Sequence, residues 1–294
     1  MIRAFHVAAI YGLDPFIRIG YFLKMKIISI RLTAIMVIFA IMSCFPAKPA
    51  AEQDLPFHPG EKMAFEVRWS GILAGEAVIE LLPVEDLNGV ESYHLVFTAK
   101  TSPFVDIFYK VRDRIDSYTD VEMTHSLLYK QIHQGRSKKD ITVEFDWERQ
   151  EAKYSLNGED REPVSIMPGT FDPLSVYYAF RLHDLNNEIE YDIPLTDGKK
   201  LIIGKAKVIK RENIKVAGVS YDTFLVEPGM EDIGGVFEKS KNAKLQIWVT
   251  ADDRRIPVRI KSKVKVGSFV AELVSFENGL TAGGAAEYSQ PNKP

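Results

Sequence analysis

The stretch KMAFEVRW, residues 62–69, alternates apolar side chains with polar or small ones. Met63, Phe65, Val67 and Trp69 share one face if the chain is extended, because successive strand residues point to opposite sides. In an antiparallel sheet one such face is buried in a core and the other meets water. The stretch therefore predicts a β-strand at the start of the folded region.

The same alternation recurs in residues 141–148 and 256–266. Turn-forming dipeptides or single glycines separate the strand-like segments, at positions 88–89, 135, 157–158, 197–198, 218 and 278–279. Short connections of this kind join neighbouring antiparallel strands, so they favour a meander and argue against βαβ units. We therefore predict a mainly β fold of about a dozen strands, a curved antiparallel meander that forms an open or partly closed barrel.

Two short helices are predicted to interrupt the strands. Asp172-Pro173 has the form of a helix cap followed by a first-turn proline, and helical spacing then continues to about His183. Ser102-Pro103 similarly introduces a short apolar turn over residues 104–108, ahead of a strand at about 109–117.

The N-terminal region predicts export. Met25 is followed by Lys26 and Arg31, then by an apolar run over residues 32–42, which is the order of a secretory signal. The run is too short to span a bilayer of about 30 Å comfortably, so we interpret residues 25–44 as a signal peptide. Residues 1–24 do not fit a leader, and we expect them to be a non-translated or disordered extension.

Cys44 is the single cysteine of the 294 residues, so no intramolecular disulfide can form. Residues 41–44 resemble the lipobox of bacterial lipoproteins, in which the cysteine is acylated; a plain leader cleaved nearby is the alternative. Acylation would anchor a periplasmic protein to the outer membrane through its lipid. The other predicted units are a tether at 45–55, a single β-rich domain at 56–278 and a disordered tail at 279–294.

The sequence predicts no catalytic residue, metal site or cofactor. It contains no nucleophile elbow, phosphate loop, zinc spacing or dinucleotide fingerprint. The charged run 252–255 lies between two strand-like segments, where a solvated turn is the simpler interpretation than an acid–base cluster. Asp113 shares a strand face with apolar neighbours, which leaves an inward-facing carboxylate, a strand edge or a salt bridge as alternatives. The formal net charge of −3 argues against nucleic-acid binding.

Aromatic residues provide the ligand-site hypothesis. Most of them must pack in the core, but those of the two helical segments could also cover the mouth of a curved sheet and enclose a cavity for an acyl chain. The partner would then be a lipid or a lipidated protein. The candidate ligand-binding residues are Trp69, Phe104, Phe108, Tyr109, Tyr177 and Tyr178.

Arg259, Lys261, Lys263 and Lys265 form a basic ladder at alternate positions of one predicted strand. Such residues share a face at intervals of about 7 Å, twice the rise per residue. The ladder could contact anionic lipid headgroups at a membrane surface, or it could be an ordinary solvated sheet face.

Several segments together resemble a bacterial exported family known as domain of unknown function 3108. They are residues 59–69 (PGEKMAFEVRW), 71–75 (GILAG), 172–175 (DPLS), 245–250 (LQIWVT) and 255–258 (RIPV). The resemblance covers roughly residues 55 to 278 and implies an exported β-rich domain without implying an activity. The late hairpin is also similar to periplasmic lipoprotein carriers, whose open half-barrels have helices that plug an apolar cavity.

Three functional hypotheses follow for the mature chain. The first is a non-enzymatic envelope protein that binds an apolar ligand or a lipidated partner in a curved sheet. The second is an envelope scaffold with a packed core, and the third is a hydrolase of envelope polymers. A continuous apolar cavity favours the first over the second, and a nucleophile with a base in a cleft would favour the third. The oligomeric state is left open.

Overall fold

The structure, a computed structural model, describes residues 55–135, 138–185, 190–229, 244–264 and 267–279. These residues form sixteen strands and two short helices, α1 (Pro103–Asp106) and α2 (Ser175–Arg181). The strands are β1 (Glu61–Trp69), β2 (Ile72–Leu81), β3 (Glu85–Leu87), β4 (Val90–Thr101), β5 (Val111–Asp120), β6 (Ser126–Gly135), β7 (Lys138–Asp146), β8 (Glu151–Leu156), β9 (Glu159–Asp160), β10 (Val164–Ser165), β11 (Glu190–Thr196), β12 (Leu201–Val216), β13 (Val219–Pro228), β14 (Lys244–Thr250), β15 (Pro257–Val264) and β16 (Gly267–Asn278).

The mainly β prediction is confirmed. The strand count exceeds the predicted dozen because β3, β9 and β10 have only two or three residues each, too few to show an alternating pattern. No helix in the described part of the chain has the length and hydropathy that a membrane-spanning segment requires.

All strands join one antiparallel sheet in the order β10-β8-β7-β6-β5-β4-β2-β1-β16-β15-β14-β13-β12-β11, with β3 beside β4 and β9 beside β8. Neighbours along this ladder follow chain order almost throughout, as predicted for a meander. The first and last strands lie side by side, with Trp69 opposite Phe269 and Glu61 opposite Asn278. The break in the ladder falls between β10 and β11, where the chain inserts α2. The sheet is therefore curved and open.

Two contacts bring the far strands of the ladder together. Phe171, in the segment between β10 and α2, donates its N–H to the Pro194 carbonyl at 2.9 Å and accepts from the Thr196 N–H at 2.9 Å. Gly198, in the β11–β12 turn, lies against side chains of Val143 and Tyr154 on β7 and β8. A Cβ at Gly198 would lie 2.8 Å from Val143 Cγ2, and its φ of +84° also favours glycine.

The main core collects side chains from both halves of the ladder. Met63 and Phe65 are buried, as the alternation predicts, and they pack in one cluster with residues of α2 and of β11 to β16. A second, smaller cluster covers β6 to β8 around Val143 and Phe145. Residues from distant strands share the first cluster because the sheet curls around its inner face.

Trp69 departs from the alternation that otherwise describes β1. The register between β1 and β2 shifts between Val67 and Arg68, which marks a bulge, and Trp69 follows it at the end of the strand. A bulge interrupts the regular alternation of faces. Trp69 is accordingly 42% exposed and stacks on Phe269 instead of entering the core.

Both predicted helices form, and α2 begins at Ser175, three residues after the predicted cap Asp172. The Asp172 carboxylate accepts hydrogen bonds from the Leu174 and Ser175 N–H groups at 2.8 and 3.0 Å, which satisfies donors that the helix itself cannot. The helix ends at Arg181, slightly earlier than predicted. Ser102 Oγ accepts from the Val105 N–H and caps α1 in the same way.

The predictions on the chain ends fall outside the described residues. They concern the extension at 1–24, the leader at 25–44 with Cys44, nearly all of the tether and the tail beyond Gly279. Lys265 of the basic ladder is also outside. These assignments stay predictions.

Candidate functional site

An apolar cavity of about 430 Å³ lies between α2 and the four strands β11 to β14. The helix contributes Val176, Tyr177 and Phe180 to its wall. Residues 191, 193 and 195 of β11 and residues 245, 247 and 249 of β14 line it at alternate positions, whereas residues 202–206 of β12 line it consecutively. These wall residues include Ile193, Leu195, Ile202, Ala206, Val226, Ile247 and Val249.

The charged residues of the cavity lie close together in the chain. Among the described lining residues they are Asp197 and Lys200 of the β11–β12 turn and Lys205 near the start of β12. Ile203, also in the lining, is 44% exposed. The cavity thus has a mainly apolar lining, with solvent-exposed and charged lining residues at and just after this turn.

Tyr177 lines the cavity and also packs against the main core. Its ring lines the cavity, and its hydroxyl donates to the Arg255 carbonyl at 3.4 Å. Burial raises the pKa of Tyr177, partly offset by the nearby Arg181 cation, so the phenol stays neutral. The ring of Tyr177 is therefore part of the apolar wall, and the hydrogen bond to Arg255 holds its orientation.

A buried ion pair between Arg181 and Glu61 connects α2 to β1. Arg181 is fully buried and Glu61 is 1% exposed. The guanidinium donates from Nη1 to Glu61 Oε1 at 2.6 Å and from Nη2 to Oε2 at 2.8 Å. Burial by itself lowers the pKa of Arg181, but Tyr177 and the hydrogen-bonded Glu61 raise it above its ordinary value overall. Arg181 is therefore a cation.

The remaining donors of Arg181 tie two further segments to α2. Nη2 donates to the Pro56 carbonyl at 3.0 Å and Nε donates to the Arg254 carbonyl at 2.9 Å. Tyr178 is also fully buried, and its hydroxyl donates to Glu61 at 3.1 Å. This network fixes the helix, and with it one wall of the cavity.

A second buried cluster holds the start of α2. Oδ2 of Asp172 accepts hydrogen bonds from the hydroxyls of Ser117, Ser126 and Ser175 at 2.6 to 2.7 Å. All four side chains are completely buried. No histidine lies among the described partners of these serines, and a sealed hydroxyl without a base is a poor nucleophile. The cluster connects β5 and β6 to the helix.

The structure separates the predicted ligand-binding aromatics. Tyr177 lines the cavity, and Tyr178 lies behind it in the Glu61 network. Phe104, Phe108 and Tyr109 do not line it; they are 60%, 72% and 55% exposed. Their segment follows β4 and is bonded to the start of β2, since the Ser102 N–H donates to the Ala74 carbonyl at 2.8 Å. The expectation that α1 and α2 cover one cavity is thereby corrected, and Trp69 is likewise not a lining residue.

The basic ladder is only partly available for an anionic surface. Arg259 forms an ion pair with Glu272 at 2.6 Å and donates to the Lys215 carbonyl. Lys261 and Lys263 are exposed. Contact with lipid headgroups stays a prediction for these two lysines.

The remaining carboxylates of interest have local partners. Asp113 forms a hydrogen bond of 2.5 Å with Nδ1 of His133 on the neighbouring strand. Burial by itself raises the pKa of Asp252, but hydrogen bonds from Thr250 and Arg254 lower it overall. Within the described ranges, no three His, Cys, Asp or Glu side chains converge as a metal site would require.

Little in the sequence indicated this buried framework. Glu61 and Asp172 stand in the quoted family-like segments, and Arg181 follows the helical spacing, but no local pattern indicates that Glu61 and Arg181 meet. The available signal was Arg181, a charged residue on an otherwise apolar face of the predicted helix.

Comparison with known proteins gives a family without an activity. The sequence model of the family described as "Protein of unknown function (DUF3108)" matches residues 64–274, which confirms the predicted resemblance. No curated protein matches the chain. The solved structures that match it include a β-barrel-like protein of domain of unknown function DUF1849 from Brucella abortus (8% identity, 75% of this chain and 98% of that chain, TM-score 0.47). A protein with a YmcC-like fold from Bacteroides fragilis also matches (8% identity, 76% and 97%, TM-score 0.27).

Proposed function

Since the chain belongs to the DUF3108 family, whose description assigns no activity, we propose a function from the geometry of the cavity. The protein binds an apolar ligand, the acyl chain of a lipid or of a lipidated protein, between α2 and strands β11 to β14. Binding involves no covalent chemistry.

The observation that carries this proposal is the apolar cavity of about 430 Å³. An enclosed apolar void costs about 24 cal/mol per Å³, so an empty, sealed void of this size would cost roughly 10 kcal/mol, close to the whole stability of a domain. A cavity that opens to solvent at a polar turn and accepts a ligand avoids this cost. Its volume also lies within the usual range of small-molecule sites.

The energetics suit an acyl chain. Each buried methylene contributes about 0.8 kcal/mol, so about ten of them contribute roughly 8 kcal/mol. Association itself costs about 4 kcal/mol or more, which leaves moderate, reversible affinity. The lysines near the opening, Lys200 and Lys205, suit the carboxylate or phosphate head of such a ligand.

The leader predicted at residues 25–44 supports a location outside the cytoplasm, in the periplasm, with Cys44 as the candidate site of an outer-membrane lipid anchor. A protein in that location has access to membrane lipids. Neither alternative function has a comparable observation in its favour. The buried hydroxyl cluster at Asp172 is sealed, and an exposed nucleophile with a base would be needed for hydrolysis.

A cavity-filling variant tests the proposal. Ala206→Phe places a ring in the cavity, whereas Val90→Phe adds the same ring at a position that is 44% exposed and away from the cavity lining. The probe is a fatty acid with an environment-sensitive fluorophore. We expect Ala206→Phe to weaken probe binding by about tenfold or more at unchanged secondary structure, and Val90→Phe to bind as the parent does.

Equal binding by the parent and Ala206→Phe would refute the cavity as the binding site. Native mass spectrometry of protein purified from envelopes provides a second measurement. Bare protein that also rejects the fatty-acid probe would refute the proposed function.

A further inference from the structure

A second apolar surface lies at the connection between β4 and β5, away from the cavity. Phe104, Ile107, Phe108 and Tyr109 are 60%, 75%, 72% and 55% exposed. Four large apolar side chains in six residues are concentrated on one short turn. Single exposed apolar residues are common in soluble proteins, but contiguous ones mark an interaction surface.

Neighbouring turns extend this surface. The Ser102 hydroxyl donates to the Leu73 carbonyl at 3.2 Å, which places α1 beside the start of β2. Ile72 and Leu73 are 54% and 45% exposed there, and Trp69 pairs with Ile72 across the β1–β2 hairpin. We call these seven residues the apolar tip: Trp69, Ile72, Leu73, Phe104, Ile107, Phe108 and Tyr109.

The tip is held in its exposed position by polar contacts at its base. Asp106 of α1 forms a bidentate pair with Arg112 of β5, with distances of 3.0 and 2.5 Å. Thr101 donates to the same carboxylate at 2.5 Å and accepts from the Val111 N–H at 2.9 Å. The apolar side chains therefore project from a braced turn, and they are not a loose segment that could fold back onto the sheet.

Exposed lysines follow the tip in the chain and in the next hairpin, whereas the acidic side chains beside it, Glu66 and Glu76, are paired with Arg68 and Lys100. Lys110 follows Tyr109 directly and is exposed, and its carbonyl lies against Gly135 at the end of β6. Lys138 and Lys139 at the start of β7 are exposed as well. The acidic group of α1, Asp106, is neutralised by Arg112. The tip thus combines apolar side chains with cations in a chain whose formal net charge is −3.

We propose that the apolar tip docks on an anionic phospholipid bilayer, with its apolar side chains inserted among the headgroups and Lys110, Lys138 and Lys139 against the lipid phosphates. Apolar and aromatic residues flanked by lysine are the composition of interfacial anchors. Lysine is depleted from protein–protein interfaces, whereas each lysine near an anionic membrane contributes favourably. The charge complementarity therefore favours a bilayer over a protein partner.

This inference does not depend on the ligand cavity, because α1 and the cavity share no lining residue. A carrier that fills its cavity from a membrane would use both surfaces. Either one can be present without the other, and the experiments separate them.

The test uses the full chain with Cys44→Ser, which leaves no other cysteine. Phe108→Cys receives an environment-sensitive fluorophore on the tip, and Val90→Cys receives the same label on the β3–β4 hairpin. Vesicles of phosphatidylcholine with phosphatidylglycerol are then added. We expect a blue shift and an intensity increase at position 108 only. Membrane attachment through the N-terminal region alone would leave both labels in water, and that result overturns the proposal.

Vesicle co-sedimentation measures the contribution of the tip. Phe104→Ser/Ile107→Ser/Phe108→Ser is expected to weaken partitioning to the mixed vesicles by about tenfold or more, with unchanged far-ultraviolet circular dichroism. Lys110→Glu/Lys139→Glu should weaken it at low salt and remove most of its salt dependence. Equal partitioning of all variants would overturn the proposal. A dimer in sedimentation equilibrium that the triple variant abolishes would overturn it as well, because the tip would then be a self-association surface.

Discussion

Replacing Arg181 by methionine tests whether the buried ion pair holds α2 against the sheet. The change removes two hydrogen bonds to Glu61 and one each to the Pro56 and Arg254 carbonyls. Glu61 then keeps only the Tyr178 hydroxyl among its described side-chain partners. The substitution preserves most of the side-chain volume, so the loss is mainly electrostatic.

The expected loss of stability follows from the contacts that Arg181→Met removes. Breaking a buried pair from one side costs about 3–5 kcal/mol, because the other charge remains buried without compensation. Each orphaned carbonyl adds about 1–3 kcal/mol, but losses that share one side chain are not additive. We expect Arg181→Met to lower the free energy of unfolding by about 4–6 kcal/mol, a large part of a domain's total of about 5–15 kcal/mol.

Chemical denaturation followed by circular dichroism measures this loss. Arg181→Met/Glu61→Leu should recover roughly half of it, because no buried charge remains. Arg114→Met is the matched control: Arg114 also binds a carboxylate with two nitrogens, but its side chain is 48% exposed. It should cost about 1 kcal/mol or less. A loss below about 1 kcal/mol for Arg181→Met, or a double variant no more stable than the single, would refute the reasoning.

Three further predictions concern the frame around the cavity. The lowered pKa of Asp252 means that its contribution to stability is complete above its ordinary value of 3.8 and is lost as the pH falls through the lower folded value. Asp252→Asn should therefore flatten the acid limb of a stability–pH profile, and an unchanged limb would contradict this. Gly198→Ala should lower the melting temperature more than Gly158→Ala, since both have positive φ but only Gly198 lacks room for a Cβ; equal shifts would count against the steric argument. Asp172→Ala leaves three buried serine hydroxyls without their acceptor and should cost about 3 kcal/mol or more in denaturant unfolding, whereas a cost near zero would show that the cluster is dispensable.

The sequence alone determined the local structure of the described region. The alternation around Met63 and Phe65 predicted a strand with those side chains buried, and the caps at Ser102 and Asp172 predicted both helices. These patterns are reliable because strand alternation and helix capping depend on residues a few positions apart. The family resemblance followed from the same local segments.

Only the tertiary structure decided which of these elements meet. Alternation tells which face of a strand is buried, but it does not tell which strand lies beside it, so the pairing of β1 with β16 was not predictable. The Glu61–Arg181 pair joins residues 120 positions apart. The aromatics of α1 and α2 look alike in sequence, yet the turn of α1 holds its side chains in solvent while α2 enters the curved sheet. The cavity exists because these separate elements converge around a common space, and no single segment contains that information.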